Sequence, residues 1–291
     1  MSVWIVWTFL AATAAAQTHV GKPLPDFVKG DECLFCHRTT IGPFWQKNAH
    51  GVAVRVREEA PELDKIAGIP DGTEYFLGSR NWIRMLKKDG YGKFALWTGK
   101  YDRKNFKWVS AEGATWDRTK FADRCAGCHT TAVDASTKAF TTYGHDCYTC
   151  HGSVNLEHSG DTSLIWLSKK RRDDIPAIES ICGSCHLRGG KSKSTGLPYP
   201  NQFVAGDKLL LDFEIDFKTD AEDKHVLRNV RDVLVNGGET GCLSCHQVHA
   251  NSTAKHRRVL TTEACEDCHN KTGPKKDLKP VTPFHSALCE Y

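Results

Sequence analysis

The chain has 291 residues, 25% of them charged and 40% hydrophobic, with a formal net charge of +4, 13 cysteines and 2 methionines. So small a charge gives nucleic-acid binding no support, and no stretch beyond the first 16 residues is apolar and long enough to cross a bilayer.

From the N-terminus, Val3 to Ala16 is apolar apart from Thr8 and Thr13 and ends in Ala14-Ala15-Ala16. Residues 1–16 therefore read as a signal peptide that leaves Gln17 as the mature N-terminus. The basic n-region is missing, since no Lys or Arg precedes Lys22, so a misassigned start and an uncleaved anchor stay open. Trp45 to His50 is helix-like. Tyr75 to Val109 is rich in aromatic and β-branched residues, and the Asp89-Gly90 step between residues 82–86 and 94–97 predicts a hairpin within a small β-element. A Gly/Ser/Lys/Pro-rich loop runs from Gly189 to Pro200, Gln202 to Phe217 alternates like a strand, and His225 heads a helix-like run towards Cys242.

Through these segments run six copies of Cys-Xaa-Xaa-Cys-His. Their members are Cys33, Cys36 and His37; Cys125, Cys128 and His129; Cys147, Cys150 and His151; Cys182, Cys185 and His186; Cys242, Cys245 and His246; and Cys265, Cys268 and His269. Chance would give roughly 0.03 copies in a chain of this composition. Two thiols at this spacing reach the two vinyl groups of a haem and become thioethers, while the next imidazole ligates the iron. Zinc is the rival reading, but structural zinc needs four protein ligands and no fixed His after the second Cys. A disulfide across two residues closes a small strained loop and makes no use of the His. The cofactor expected is thus six covalently bound haem c.

Six haems leave about 46 residues for each, so porphyrin supplies much of the apolar interior. Up to 12 propionate charges take the formal charge of +4 to about −8. The first cysteines are spaced by 92, 22, 35, 60 and 23 residues, so the second and third motifs, and the fifth and sixth, form tight pairs expected to bring their haems close. Thioether attachment takes place outside the cytoplasm, in agreement with the leader, so the location expected is periplasmic or at the cell surface.

Eight histidines lie outside the motifs, and the six assigned as distal iron ligands are His50, His145, His158, His225, His249 and His285. For each, a solvated or core histidine is the alternative. His249 stands too near His246 to reach the far face of the same haem, so it is assigned to a neighbouring one, and His158 after His151 reads likewise. His256 sits in a basic run, and His19 lies close to the mature N-terminus. Met85 is the only methionine left after the leader, so His/Met ligation, which raises haem potential, is available to at most one iron. Mostly bis-histidine, low-potential haems follow.

Phe76-Leu77-Gly78, Cys125 to Thr131, Cys147 to Gly152 with the trailing His158, and Cys242 to His249 resemble the secreted multihaem cytochromes c with doubled motifs. That group includes the tetrahaem electron acceptor of hydroxylamine oxidoreductase and is distantly related to pentahaem nitrite reductase. The resemblance implies a compact chain of stacked and angled haems with mostly helical connections. No motif carries the Lys that replaces His at the catalytic haem of the nitrite reductases, and the seven tyrosines include no recognisable counterpart of the cross-linked tyrosine of hydroxylamine oxidoreductase.

The fold class expected is a multihaem cytochrome c of short α-helices and loops, with a small β-hairpin element between the first two motifs. Residues 17–291 form one domain: 17–60 for the first haem, 61–118 a haem-free β-containing insertion, 119–190 for the second to fourth haems, 191–224 a linker and 225–291 for the last two. The function expected is electron relay between redox donor and acceptor proteins or extracellular acceptors, with no catalytic residues. A filament joined through His19 or His285 is a second possibility, and an oxidoreductase acting on a small nitrogen or sulfur compound at one five-coordinate haem is the alternative. Membrane contact is expected only through an uncleaved leader. Lys169 to Arg172 reads as a solvated loop or a docking patch, Cys289 as a free thiol or an intermolecular disulfide, and Asn251 and Asn270 head glycosylation sequons.

Overall fold

The computed structural model describes residues 23–25, 31–78, 81–110, 112–168, 174–218, 224–244 and 246–249. The leader, His19, the 169–172 run, Cys245, the sequons, His256, the sixth motif with Cys265, Cys268 and His269, His285 and Cys289 lie outside the described residues.

Two short helices open the described chain, α1 (Asp31–His37) and α2 (Gly42–Trp45). Seven strands follow: β1 (Val54–Val56), β2 (Tyr75–Leu77), β3 (Trp82–Lys88), β4 (Phe94–Trp97), β5 (Lys100–Asp102), β6 (Lys107–Val109) and β7 (Trp116–Asp117). They form one antiparallel sheet in the order β1-β2-β3-β4-β7, with β5 paired to β3 and β6. The hairpin expected at Asp89-Gly90 is there: Leu86 faces Leu96, Lys88 faces Phe94, and the Asp89 N–H donates to Lys93 O at 3.0 Å. It is only one hairpin of a seven-stranded sheet, so β-structure takes a larger share than the expected small element among short helices.

Alternation along the strands gives the sheet two apolar faces. Tyr75, Leu77, Leu86, Phe94 and Leu96 point to one side and pack with Phe121, Ala126, Phe140 and Tyr199, against which Cys125 and Cys128 also lie. Phe76, Ile83 and Met85, each 0% exposed, point to the other and pack with Ala60 and Leu63. Burying such side chains contributes about 1.5–3 kcal/mol apiece. Trp97, Trp108 and Trp116 also pack on this second face. The first face fixes the second haem motif on a rigid support.

Beyond the sheet come α3 (Lys120–Arg124), α4 (Ala126–His129), β8 (Thr130–Val133), β9 (Phe140–Tyr143), α5 (Cys147–His151) and α6 (Ile175–His186). β8 and β9 make a hairpin between the second and third motifs, with Thr130 facing Tyr143. The last described elements are β10 (Lys191–Ser192), α7 (Leu209–Asp212), β11 (Phe213–Glu214) and α8 (Lys224–Leu234).

Two local expectations are corrected. Gln202 to Phe217 is mostly not a strand: Leu209 to Asp212 turn into α7, because Leu209 and Phe213 both sink into a cluster with Leu187, Leu227 and Val230 while Lys193 Nζ donates to the Leu210 and Leu211 carbonyls. The helix before His50 stops at Trp45. Asn48 is fully buried, its carboxamide oxygen accepts the His50 N–H at 2.8 Å and its Nδ2 donates to Val248 O at 2.6 Å, which holds the chain in a turn.

Candidate functional site

Each described motif lies wholly or partly on a helical turn. α1 ends on His37, α4 on His129, α5 on His151 and α6 on His186, while a short 3-10 turn over Cys242–Ser244 begins the fifth. A helix puts residues i and i+3 on one face, so both thiols of a motif open to the same side with the imidazole one position further on. Capping supports two of the turns: Asp146 accepts the Tyr148 N–H at the start of α5, and Asp174 accepts the Ala177 N–H at the start of α6.

The histidine rings meet in couples drawn from distant parts of the chain. His37 and His158 have centroids 6.1 Å apart with planes 22° from parallel. His151 and His249 are 6.0 Å apart at 24°, and His50 and His186 are 6.1 Å apart at 77°. An imidazole nitrogen binds a metal at about 2.0–2.1 Å and lies about 1.1 Å from its ring centre, so two rings on opposite sides of one metal have centroids about 6.3 Å apart. All three couples fall within a few tenths of that spacing. His145 completes the set: its ring is 5.6 Å from His50, and it is within electrostatic reach of His129 and His186.

Neighbouring carbonyls orient two of the rings. His151 Nδ1 bonds to Trp166 O at 2.7 Å and His158 Nδ1 to Asn155 O at 2.9 Å. With Nδ1 occupied, Nε2 is the nitrogen that could bind a metal. Burial lowers the pKa of His129 to about 4, aided by the charge of Arg188. Burial likewise pushes His145 far down, with His50, His129 and His186 adding to it, and it lowers His249, with His151 and His37 contributing. A neutral imidazole is the form that binds a metal. His129 Nδ1 is buried with no hydrogen-bond partner among the described residues.

The thiols are equally grouped. Burial raises Cys125 to about 11 and Cys150 to about 12, the latter helped by Cys182 and Cys185. Such buried thiols are poor nucleophiles. Among the described residues, no three or more His, Cys, Asp or Glu side chains surround a common metal position. Facing imidazoles beside paired thiols fit a planar cofactor held covalently at its edge and axially at its metal.

The assigned histidines thus divide. His50, His145, His158 and His249 are brought together with motif histidines, the side chain of His225 on α8 is not described, and His285 lies outside the described residues. Sequence reasoning missed the supports. The Trp166 carbonyl leaves no trace in the sequence, whereas Asn155, which accepts the Glu157 N–H, is a turn-starting residue that was open to recognition. Missed too was Glu32, whose carboxylate accepts the Tyr148 hydroxyl and ties the first motif to the third.

No protein-family model matches the chain, and neither does any curated protein. Two solved structures do. The outer cell wall cytochrome OcwA matches with a TM-score of 0.52 at 19% identity, over 90% of this chain and 66% of that one. The undecahaem cytochrome from the S-layer of Carboxydothermus ferrireducens matches with a TM-score of 0.50 at 20% identity, over 87% of this chain and 44% of that one. The chain spans just under two thirds of the first and less than half of the second. Its fold is that of the two cytochromes on which it superimposes.

Proposed function

We propose that this chain is a secreted electron carrier with six c-type haems, each held through two thioethers and most of them between two histidines. The observation that carries the reading is the set of three imidazole couples at 6.0–6.1 Å, each containing one motif histidine. When bound, haem supplies a one-electron Fe(III)/Fe(II) couple. The cysteines anchor it. His37 with His158, His151 with His249 and His186 with His50 hold the first, third and fourth irons, and His129 with His145 the second. His225 and His285 remain for the fifth and sixth.

Two imidazoles holding one iron would leave no open position for a substrate, which favours carriage over catalysis. They are also neutral nitrogen donors without the methionine that raises potential, so the potentials are low. The names of the two similar structures, from an outer cell wall and an S-layer, support a position at the cell surface and extracellular redox partners.

Coulometric reductive titration of the purified protein tests this reading. Six electrons taken up per chain, with six haems by pyridine haemochrome, are expected. A protein that takes up no electrons and yields no haemochrome refutes it.

A further inference from the structure

The contacts between motifs do not follow their order along the chain. The Tyr148 hydroxyl of the third motif donates to Glu32 beside the first, and Cys33 of the first lies within interaction range of Cys147 of the third. The Cys185 Sγ of the fourth motif donates to Gly127 O of the second at 3.8 Å, within interaction range of Cys128. Cys182, the other thiol of the fourth, lies within interaction range of Cys242 of the fifth. Cys150 of the third is within electrostatic reach of both Cys182 and Cys185.

Backbone packing agrees. Helix α6, which carries the fourth motif, packs against both α4 and the turn over Cys242–Ser244. Buried Glu179 of α6 accepts the Cys242 N–H at 2.5 Å. Residues of the second, third and fourth motifs, Gly127, Thr149 and Cys185, line one small cavity of about 50 Å³. The histidines repeat the grouping: His37, His158, His151 and His249 influence one another, and so do His129, His145, His50 and His186.

We infer that the attachment sites form a branched network and not a single file, with the fourth motif as its junction to the second, third and fifth. The first motif is a spur, reached through the third. A c-type haem is anchored through the cysteines of its motif, so motifs packed against each other would bring their cofactors side by side. The tight second–third spacing in sequence hides this, because the thiols of those two motifs turn to the fourth and the first. A junction gives an electron entering at the first motif two exits.

The inference rests on the haem reading above, and the test separates the two. In the holoprotein, His186→Met and His37→Met each raise the potential of one haem. That haem then reduces first, and its added charge lowers the midpoints of the haems beside it. Voltammetry is expected to find three other midpoints displaced in His186→Met and one in His37→Met. Loss of the altered haem is counted the same way, since the neighbours then lose an interacting charge. His50→Met, which changes the fourth iron from its other face, replaces His186→Met if that chain does not fold. Two or fewer displaced midpoints at the fourth motif, with six haems in the unaltered protein, overturn the branch. No haem in the unaltered protein overturns the haem reading itself.

Discussion

Replacing His158 with alanine removes one ring of the His37–His158 couple and leaves the rest of the first motif intact. The couple spans 6.1 Å, so each ring centre stands about 3 Å from the midpoint, and deleting one ring opens a gap of water size on one side only. The nearest other couple, His151 with His249, is itself closed at 6.0 Å and has no spare ring to offer. The expected outcome is one high-spin iron in six, about a sixth of the total, read by magnetic circular dichroism of the oxidised protein. Added imidazole restores the low-spin spectrum. A milder change gives a graded result: Asn155→Ala removes the acceptor of the Glu157 N–H, costs about 1 kcal/mol locally and leaves His158 less well aimed. Six low-spin irons retained in His158→Ala, with six haems still bound, refute the assignment of His158 to the first motif.

Gly127 lies between the cysteines of the second motif, and a Cβ there would stand 2.1 Å from Tyr199 Cγ. Gly127→Ala is therefore expected to cost about 1–3 kcal/mol through overpacking, read as a lowered Tm together with haem lost from that motif alone. Tyr199→Phe keeps the ring but drops the 2.6 Å hydroxyl bond to Ala122 O, costs about 1 kcal/mol and leaves the haem count unchanged. Asp134 accepts bonds from the Ser136 hydroxyl and the Thr137 N–H, which hold its carboxyl below the ordinary 3.8. Its stabilisation is present above pH 3.8 and is lost as pH falls through the depressed folded value, so acid unfolding of Asp134→Asn is expected to be less steep below pH 3.8 than that of the unaltered chain.

The proposed chemistry rests on a local signal: two thiols and an imidazole within five residues point to a haem wherever they fall. The ligand couples were not legible, because His37 and His158 stand 121 residues apart, His151 and His249 98, and His50 and His186 136. Only the fold brings them to ligand distance. The reading that His158 and His249 serve neighbouring motifs came from stereochemistry, and the rings they face, His37 and His151, belong to other motifs than the nearest in sequence.

The fold was legible in the same proportion. Asp89-Gly90 marked its hairpin through turn chemistry, but Lys100 to Asp102 and Lys107 to Val109 are three-residue strands too short to alternate visibly. They form because Tyr101 and Trp108 pack edge to face at 5.6 Å over the second face of the sheet. In the Leu209-Leu210-Leu211 run, burial of Leu209 and Phe213 overrode the strand-like pattern, a tertiary effect that no local propensity records.

The central claim is that irons are held between facing imidazoles, and electron paramagnetic resonance of the purified, fully oxidised protein, integrated per chain, tests it most directly. Low-spin ferric signals from six irons, with no high-spin component, are the predicted result. A stoichiometric high-spin signal that responds to nitrite or hydroxylamine contradicts it, since such an iron has an open position where a substrate can bind, which favours the enzyme reading.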